Sequence, residues 1–363
     1  MIWFGFTAVL FLGVGFLILY RVPVCGNNKK LPTSLPETSI IIPARNEQYN
    51  LPKLLGSLKR QTLVPNEIIV VDDGSEDATA RIALEYGSHV ITSSSLPEGW
   101  LGKPWSCYQG AREAQGDIFV FLDADTFFEE SGFERIIETF ISEQGAVSVF
   151  PYHMPRKFHE HFSAFFNLMQ LIGMNSFSLL RKRKPAGMFG PCLVILREDY
   201  IKIGGHEAVR GEILEHYVLA DILEKHRIPL RLFSGKGSLN IRMYPGGWKE
   251  LIQGWTKSFI AGAGRTPLLI MRLSIMWMTG LLMTTFFPLF SLYSQNIHQL
   301  SFWATIYFLY VCQLCIQFRR AGHFPLWSAI IYPVNLAFFL GVFSWAGYRT
   351  FRKEQIVWKG RNI

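Results

Sequence analysis

The first twenty residues of this chain carry no charged side chain, and Arg21, Lys29 and Lys30 follow them. An apolar helix of that length spans the ~30 Å hydrocarbon core of a bilayer. A cleaved leader would have a basic start, a shorter apolar core and small residues at the cut. Residues 1–21 are therefore read as an uncleaved transmembrane anchor. Three more long apolar stretches, residues 273–293, 302–318 and 326–345, lie towards the other end. Between them, residues 30–260 hold nearly all the acidic groups and alternate apolar runs with turn signals. The layout predicts an anchor, a globular domain over residues 36–265, membrane helices over 266–347 and a basic tail over 348–363.

Composition agrees with that layout. The 363 residues are 49% hydrophobic and 18% charged, with 15% aromatic, which excludes a disordered chain and speaks against a wholly soluble one. The net charge of +8 is accounted for by basic flanks facing anionic headgroups. No basic motif interleaved with aromatics points to nucleic acid. Cys25, Cys107, Cys192, Cys312 and Cys315 are odd in number and scattered, so no disulfide framework is implied. Cys312 and Cys315 form a C-x-x-C inside an apolar stretch with no second pair, which reads as packing rather than metal binding.

Lys and Arg in short loops mark the inner side of a membrane. Arg21, Lys29 and Lys30 put the globular domain inside, residues 294–300 contain no Lys or Arg, and Arg319 and Arg320 suit the inside again. The tail holds Arg349, Arg352, Lys353, Lys359 and Arg361, yet three full C-terminal spans would leave it outside. One stretch is then expected to be re-entrant or interfacial, with Pro288 and Pro333 as the places for a break.

The globular part reads as α/β. Ser39-Ile-Ile-Ile-Pro43, Glu67-Ile-Ile-Val-Val-Asp72, residues 89–92 and Asp117-Ile-Phe-Val-Phe-Leu122 are strand-like, with helical spacing over 50–63 and 78–86. Strands this apolar, alternating with helices, predict a mostly parallel sheet covered on both faces. Ligands of such sheets bind at the C-terminal strand ends. The polar motifs fall there: Pro43-Ala44-Arg45-Asn46-Glu47, then Asp72-Asp73-Gly74-Ser75-Glu76-Asp77, then Asp123-Ala-Asp125. The second, taken alone, is equally an ordinary capped turn, with Ser75 or Asp77 as cap. Two carboxylates at i and i+2 on a strand end can aim at one divalent ion that also touches phosphate oxygens. A lone Asp-x-Asp is weak, and neither G-x-G-x-x-G nor G-x-x-x-x-G-K-[ST] is present.

In this order, the motifs resemble those of the inverting family-2 nucleotide-sugar glycosyltransferases with a GT-A fold, and the resemblance runs over essentially the whole chain. It implies that Pro43, Ala44, Arg45, Glu47, Asp72 and Asp73 hold the nucleoside and that Lys103 approaches the nucleotide. It also implies that Asp123 and Asp125 bind Mg²⁺ or Mn²⁺ beneath the diphosphate. Within the family, the chain is similar to bacterial enzymes that glucosylate carotenoid acids. That similarity rests on Ile40-Ile-Ile-Pro-Ala-Arg-Asn-Glu47, Gly102-Lys103, Cys107-Tyr-Gln-Gly110, Phe162-Ser-Ala-Phe-Phe-Asn-Leu-Met169 and Phe189-Gly190-Pro191. It also rests on Gly204-Gly-His206, Arg242-Met-Tyr244, Gly254-Trp255-Thr-Lys257 and Trp358-Lys-Gly-Arg361. The implied donor is UDP-glucose, and the implied acceptor a lipophilic C30 carotenoid carboxylic acid. The implied place is a bacterial cell membrane, multi-pass, with the catalytic domain facing the cytoplasm.

One departure bears on mechanism. Many family-2 enzymes carry Glu-Asp after a Gly-Gly-x turn, with the Asp as general base; here the matching pair is Glu215-His216. Glu215, Glu212 or His216 would stand in. A carboxylic acid, with a pKa near ~4, arrives already ionised at neutral pH and needs no base. His216 would hold such an anion, which an Asp would repel; the plainer alternative is that His216 only packs and Glu215 acts. Trp255 and Lys257 fall where processive relatives have Gln-x-x-Arg-Trp, and because that motif is incomplete here one sugar per acceptor is expected. Their alternatives are contact with acceptor or diphosphate, or interfacial anchoring.

Residues 158–180 place Ser163, Asn167, Gln170 and Ser178 on one helical face opposite Phe, Leu, Met and Ile, which predicts an interfacial helix at the acceptor; a buried core helix is the alternative. Phe189, Gly190 and Pro191 are expected beside the acceptor. Three rival functions are a transporter, a non-catalytic nucleotide-sugar-binding membrane protein and a transferase acting on another membrane lipid alcohol. A transporter would want polar groups in its spans, where the C-terminal stretches offer Arg272, Gln313 and Gln317, and would have no use for Asp123-Ala-Asp125.

Overall fold

The computed structural model describes residues 2–26, 35–180, 184–212, 214–262, 265–352, 357–358 and 361–362. Lys29, Lys30, Lys353 and Lys359, part of the predicted basic flanks and tail, lie outside the described residues. The chain divides into two units: residues 23–153 with 187–242, and residues 1–22 with 154–186 and 243–363.

The first unit is α/β. Its strands are β1 (Thr38–Ala44), β2 (Glu67–Asp72), β3 (His89–Thr92), β4 (Ile118–Leu122), β5 (Thr126–Phe128), β6 (Ala146–Phe150), β7 (Tyr152–His153), β8 (Cys192–Leu196), β9 (Leu230–Ser234) and β10 (Leu239–Ile241). Seven form one sheet in the order β3-β2-β1-β4-β8-β6-β9, and β5-β10-β7 form a small second sheet. The run β3-β2-β1-β4 is parallel, β8 is antiparallel to β4 and β6, and β9 is parallel to β6. The expected mixed, mostly parallel sheet is what the chain forms.

The strands pair this way because both faces are apolar. All five residues of β4 are buried, and β1 buries Ile40, Ile41 and Ile42 completely. On one face the helix Leu51–Leu58 sets Leu51, Leu54, Leu55 and Leu58 against Ile40, Ile42, Val70 and Val120. Each such side chain stabilises the fold by about 1.5–3 kcal/mol relative to exposure.

The second unit is helical: Ile2–Ile18, Ala164–Gly173, Trp248–Gly262, Leu268–Tyr293, Ile297–Ala321, Leu326–Ile330 and Tyr332–Phe351. Two of these, Leu268–Tyr293 and Ile297–Ala321, are long and apolar enough to cross a membrane, and the N-terminal helix is apolar but shorter. Pro288 sits inside Leu268–Tyr293 without ending it. Pro333 opens Tyr332–Phe351 directly after the turn at Ile331 that separates it from Leu326–Ile330. The third apolar stretch is thus two helices, broken where proline removes a backbone donor.

The boundary expected at residue 265 differs from the observed division. Residues 154–186 and 243–265 belong to the helical unit, where their aromatic side chains pack. Phe166 stacks on Trp255 at 4.7 Å, and Phe165 meets Phe318 at 5.4 Å. The stretch expected as one interfacial helix over 158–180 is a 3₁₀ turn (Phe158–Ser163) and a helix ending at Gly173. Asn167 is buried with the apolar residues around it, its amide donating to the Ser163 carbonyl at 3.0 Å. The unit encloses this helix instead of leaving one polar face open.

Polar side chains join the N-terminal helix to Ile297–Ala321. Tyr310 Oη, Gln313 Nε2, Gln317 Nε2 and Arg320 Nη1 donate to the carbonyls of Ala8, Leu12, Gly15 and Leu19 at 2.9, 2.7, 2.8 and 2.5 Å. Donors and acceptors both advance by three or four residues, so each set lies on one helical face and the helices run parallel. The end that leads into Arg21 therefore lies beside Arg319 and Arg320. Gln313 also accepts from Trp277 Nε1 at 2.8 Å. The glutamines a transporter would need for a pathway use these amide groups to tie helices together.

Candidate active site

The loops after β1 and β2 interlock. Asp73 N–H donates to the Ala44 carbonyl at 2.8 Å, and Arg45 Nη1 to the Asp73 carbonyl at 2.8 Å. Asn46 N–H reaches Ser75 Oγ at 2.9 Å, Glu47 N–H reaches Thr79 Oγ1 at 2.8 Å, and Glu76 N–H reaches Asn46 Oδ1 at 2.9 Å. Pro43 and Ala44 close β1, and Ala44 pairs with Asp72 at the end of β2. Asp72 and Glu47 are buried; Asp72 accepts the Ser75 N–H, and Glu47 Oε2 accepts from Asn50 Nδ2 at 2.8 Å. The second motif is a capped turn as well, since Asp77 Oδ1 accepts the Thr79 N–H at 2.9 Å. The same turn also ties the two loops together, since Ser75 and Thr79 within it accept the Asn46 and Glu47 N–H groups.

Beside β4, residues far apart in sequence form a charged cluster. Lys103, at the start of the helix Gly102–Glu113, places Nζ 2.6 Å from Asp123 Oδ1 and 3.7 Å from Glu215 Oε1, and donates to the Gly190 carbonyl at 3.2 Å. Glu215 opens the helix Glu215–Lys225, and its Oε2 lies 3.9 Å from His216 Nδ1. Pro43, Lys103, Asp123, Gly190, Glu215 and His216 line one cavity. Asp125 is half-buried two residues beyond Asp123 and is not in that lining. Phe189 is buried with its N–H on Ser148 Oγ at 2.8 Å, and the Pro191 carbonyl accepts the Asp123 N–H at 2.9 Å. These two shape the loop from beneath.

Trp255 and Lys257 belong to the helical unit, on Trp248–Gly262. Trp255 is fully buried, with Nε1 donating to Ser163 Oγ at 3.1 Å, and Tyr244 packs edge-on at 5.6 Å. Its ring is a packing element of that unit. Lys257 is half-buried. Glu212 is exposed, one residue before a position outside the described residues.

The electrostatics follow from crowding opposite charges. Burial works against the Lys103 ammonium, but Asp123 and Glu215 beside it push its pKa up instead. Burial likewise opposes the Glu215 carboxylate, yet His216 and Lys103 outweigh it and hold its pKa down at about 2. Burial pushes His206, another cavity residue, down to about 4, so this imidazole stays neutral at physiological pH. The sequence reading used Gly204-Gly-His206 only as a marker for the residues after it; nothing local in the sequence says that its imidazole reaches the cavity.

The pair Asp123 and Asp125 fits a hard divalent cation. Among the described residues no group of three or more His, Cys, Asp or Glu could hold a metal ion. Mg²⁺ is commonly held by one or two carboxylates, with water and substrate phosphates completing its octahedron. Asp123 already carries the Lys103 ammonium, so an ion there shares that carboxylate.

A pH dependence follows. Glu215 keeps its charge in the fold, so its contribution is full above ~4.5 and fades as pH falls towards 2. His206 is held neutral, so the unfolded chain takes up its proton first, and stability falls between ~6.5 and 4. That second window costs roughly 3 kcal/mol. Thermal unfolding in detergent should show the melting temperature dropping from pH 7 to 4 in the wild type, with a shallower slope in His206→Phe. Equal slopes would contradict the assignment.

Residues 39–204 match the family described as glycosyl transferase family 2. The chain is 38% identical over 357 residues to the 4,4′-diaponeurosporenoate glycosyltransferase of Staphylococcus haemolyticus, covering 96% of this chain and 94% of that one. It is 36% identical over 328 residues to the Staphylococcus aureus protein of the same name, covering 89% and 87%. Among solved structures, glucosyl-3-phosphoglycerate synthase from Mycobacterium tuberculosis, in complex with Mn²⁺, UDP-glucose and phosphoglyceric acid, aligns with a TM-score of 0.44 at 16% identity over 67% of this chain and 87% of that chain.

Proposed function

This chain belongs to glycosyl transferase family 2, and from that premise we propose that it transfers glucose from UDP-glucose, with inversion, to the carboxylate of 4,4′-diaponeurosporenoate, a C30 carotenoid acid. The product is a glycosyl ester. The names of its relatives support the acceptor. The observation that carries the reading is Glu215, which stands where a general base would and has Lys103 3.7 Å from one carboxylate oxygen and His216 3.9 Å from the other, neighbours that hold its pKa down. A general base works best with a pKa near the operating pH. A carboxylate held ionised by these two neighbours is a poor acceptor for an alcohol proton. It suits a reaction whose nucleophile arrives ionised.

The steps follow from the residues. The shelf of Pro43, Ala44, Arg45, Glu47, Asp72 and Asp73 takes the nucleoside. Asp123 and Asp125 would hold Mg²⁺ or Mn²⁺, which supplies charge stabilisation for the departing diphosphate. Lys103 has three donors and is placed to give one to a phosphate oxygen while keeping Glu215. One oxygen of the acceptor carboxylate bonds to the anomeric carbon from the face opposite the diphosphate. The anomeric C–O bond breaks, its electron pair leaves with the diphosphate, and no proton moves. His216, paired with Glu215, steadies the incoming anion. Gly190, with its loop neighbours Phe189 and Pro191, borders the acceptor side.

A polyene acceptor dissolves in lipid, and the apolar helices give the enzyme its place at the membrane. We place the α/β unit on the cytoplasmic side, a reading supported by the basic ends at Arg21 and Arg319-Arg320 lying together. Lys257 is proposed as a diphosphate contact; Trp255, being wholly buried, acts through packing.

The test is turnover of labelled UDP-glucose with the carotenoid acid by detergent-solubilised protein. The expected product carries label that alkali releases, as an ester requires. His216→Ala should lower kcat/KM for the acid by about tenfold or more, the loss expected for one hydrogen bond to a charged group. Label in the product that survives alkali, or full activity in His216→Ala, would contradict the reading.

A further inference from the structure

His206 is the cavity residue whose role the steps above leave open, and its surroundings specify its state atom by atom. The ring is buried, 4% exposed, with the Phe121 ring 4.7 Å away. The Tyr200 hydroxyl accepts the His206 backbone N–H at 3.0 Å and lies 2.9 Å from His206 Nδ1. With the hydroxyl giving its own proton to Nδ1, Nδ1 accepts and the ring proton resides on Nε2. Burial pushes the Tyr200 hydroxyl up, which keeps that proton in place.

The Gly-Gly step before His206 is what permits this. Gly204 and Gly205 both have positive φ, at 76° and 52°. A Cβ on Gly205 would stand 2.5 Å from the Tyr200 ring and 2.8 Å from its hydroxyl oxygen. Only glycine lets the turn close over Tyr200 and bring the imidazole to the cavity.

We propose that the Nε2–H of His206 binds the non-attacking oxygen of the acceptor carboxylate and so selects a carboxylate over an alcohol. This rests on the glycosyl-ester reading above. A carboxylate offers two oxygens, one to attack and one to be held, whereas an alcohol has only the one that attacks. A neutral N–H holds the spectator oxygen without protonating it. His206 is kept neutral by its burial and by the Lys103 charge nearby, while Glu215 pulls the other way. Lys103, Asp123 and Glu215 thus supply the charge of the cavity, and His206 supplies an uncharged donor.

The experiment compares the wild type with His206→Phe, His206→Gln and Tyr200→Phe, using the carotenoid acid, its alcohol and UDP-glucose. His206→Phe should raise KM for the acid on the order of 10- to 100-fold, the range for a hydrogen bond to a charged group, with KM for UDP-glucose unchanged. The Gln amide nitrogen falls near the position of Nε2, so His206→Gln should recover most of the loss. Tyr200→Phe removes the group that fixes the tautomer. Nitrogen NMR of labelled histidine should show the Nε2–H form in the wild type and a mixture in that variant. A wild type that uses the acid while His206→Phe keeps its KM for the acid would overturn this assignment alone. Equal damage in His206→Phe and His206→Gln, with KM for UDP-glucose raised too, would reduce His206 to packing and also overturn it. A wild type that uses only the alcohol would overturn the ester reading and this assignment with it.

Discussion

Asp123→Asn should lower turnover by about 1,000-fold while the protein still folds. Asp123 has two tasks in the cavity. It holds the Lys103 ammonium at 2.6 Å, and with Asp125 it forms the carboxylate pair for the divalent ion. An amide there gives one neutral oxygen, weakens the ion's site and leaves Lys103 drawn towards Glu215. Removing one well-placed electrostatic group from a site of developing charge costs about 100- to 1,000-fold, and here two such groups are disturbed together. The fold should be little affected. The loop is held by backbone bonds, from Asp123 N–H to the Pro191 carbonyl and from Thr126 to the Asp123 carbonyl, which the substitution leaves alone. The ion pair itself is partly exposed and contributes about 1 kcal/mol at most. Steady-state turnover and a thermal melt of the same preparation check both halves. Activity within tenfold of wild type would place the diphosphate chemistry elsewhere.

Gly15→Leu in the N-terminal helix should destabilise the helical unit by about 3–5 kcal/mol, from overpacking plus lost interhelical hydrogen bonds. A Cβ at Gly15 would stand 2.4 Å from Trp277 Nε1 and 2.7 Å from Gln313 Nε2. The helices must part, and the bonds from Gln313 to Leu12 and from Gln317 to Gly15 go with them. Gly13, two residues away, would meet nothing within 4 Å, so Gly13→Leu is the control on hydrophobicity and helix propensity. The comparison is the melting temperature of the two variants in one detergent. Equal values would mean that the N-terminal helix is a tether rather than a packed member of its unit.

The strands β1, β2 and β4 and the polar loops at their ends were legible because a parallel sheet buried on both faces requires uninterrupted apolar runs. Ile40-Ile-Ile42 and Ile118-Phe-Val-Phe-Leu122 leave no other reading. β8 was not anticipated: its run, Cys192-Leu-Val-Ile-Leu196, carries no sign that it enters antiparallel between β4 and β6. Asp123 and Lys103 were each readable as site residues from motif and resemblance. Their 2.6 Å contact, and the reach of Lys103 to Glu215, depend on how two helix starts meet the end of β4, which no local pattern encodes.

The helical unit misled in a systematic way. Ser163 and Asn167 read as the wet face of an interfacial helix, but their polar groups bond within the unit, Asn167 to the Ser163 carbonyl and Ser163 to Trp255. In an apolar environment an internal hydrogen bond and a face turned to water leave the same residue pattern. For the same reason Gln313 and Gln317 were visible as polar residues in an apolar helix, while their role was not. It depends on the register between Ile297–Ala321 and the N-terminal helix.

The central claim is that the nucleophile is a carboxylate that needs no base. It is tested most directly by offering the solubilised enzyme UDP-glucose with the C30 carotenoid acid and, separately, with the same molecule reduced to the alcohol. The account predicts an alkali-labile glucosyl product from the acid and none from the alcohol. Transfer to the alcohol with none to the acid would contradict it.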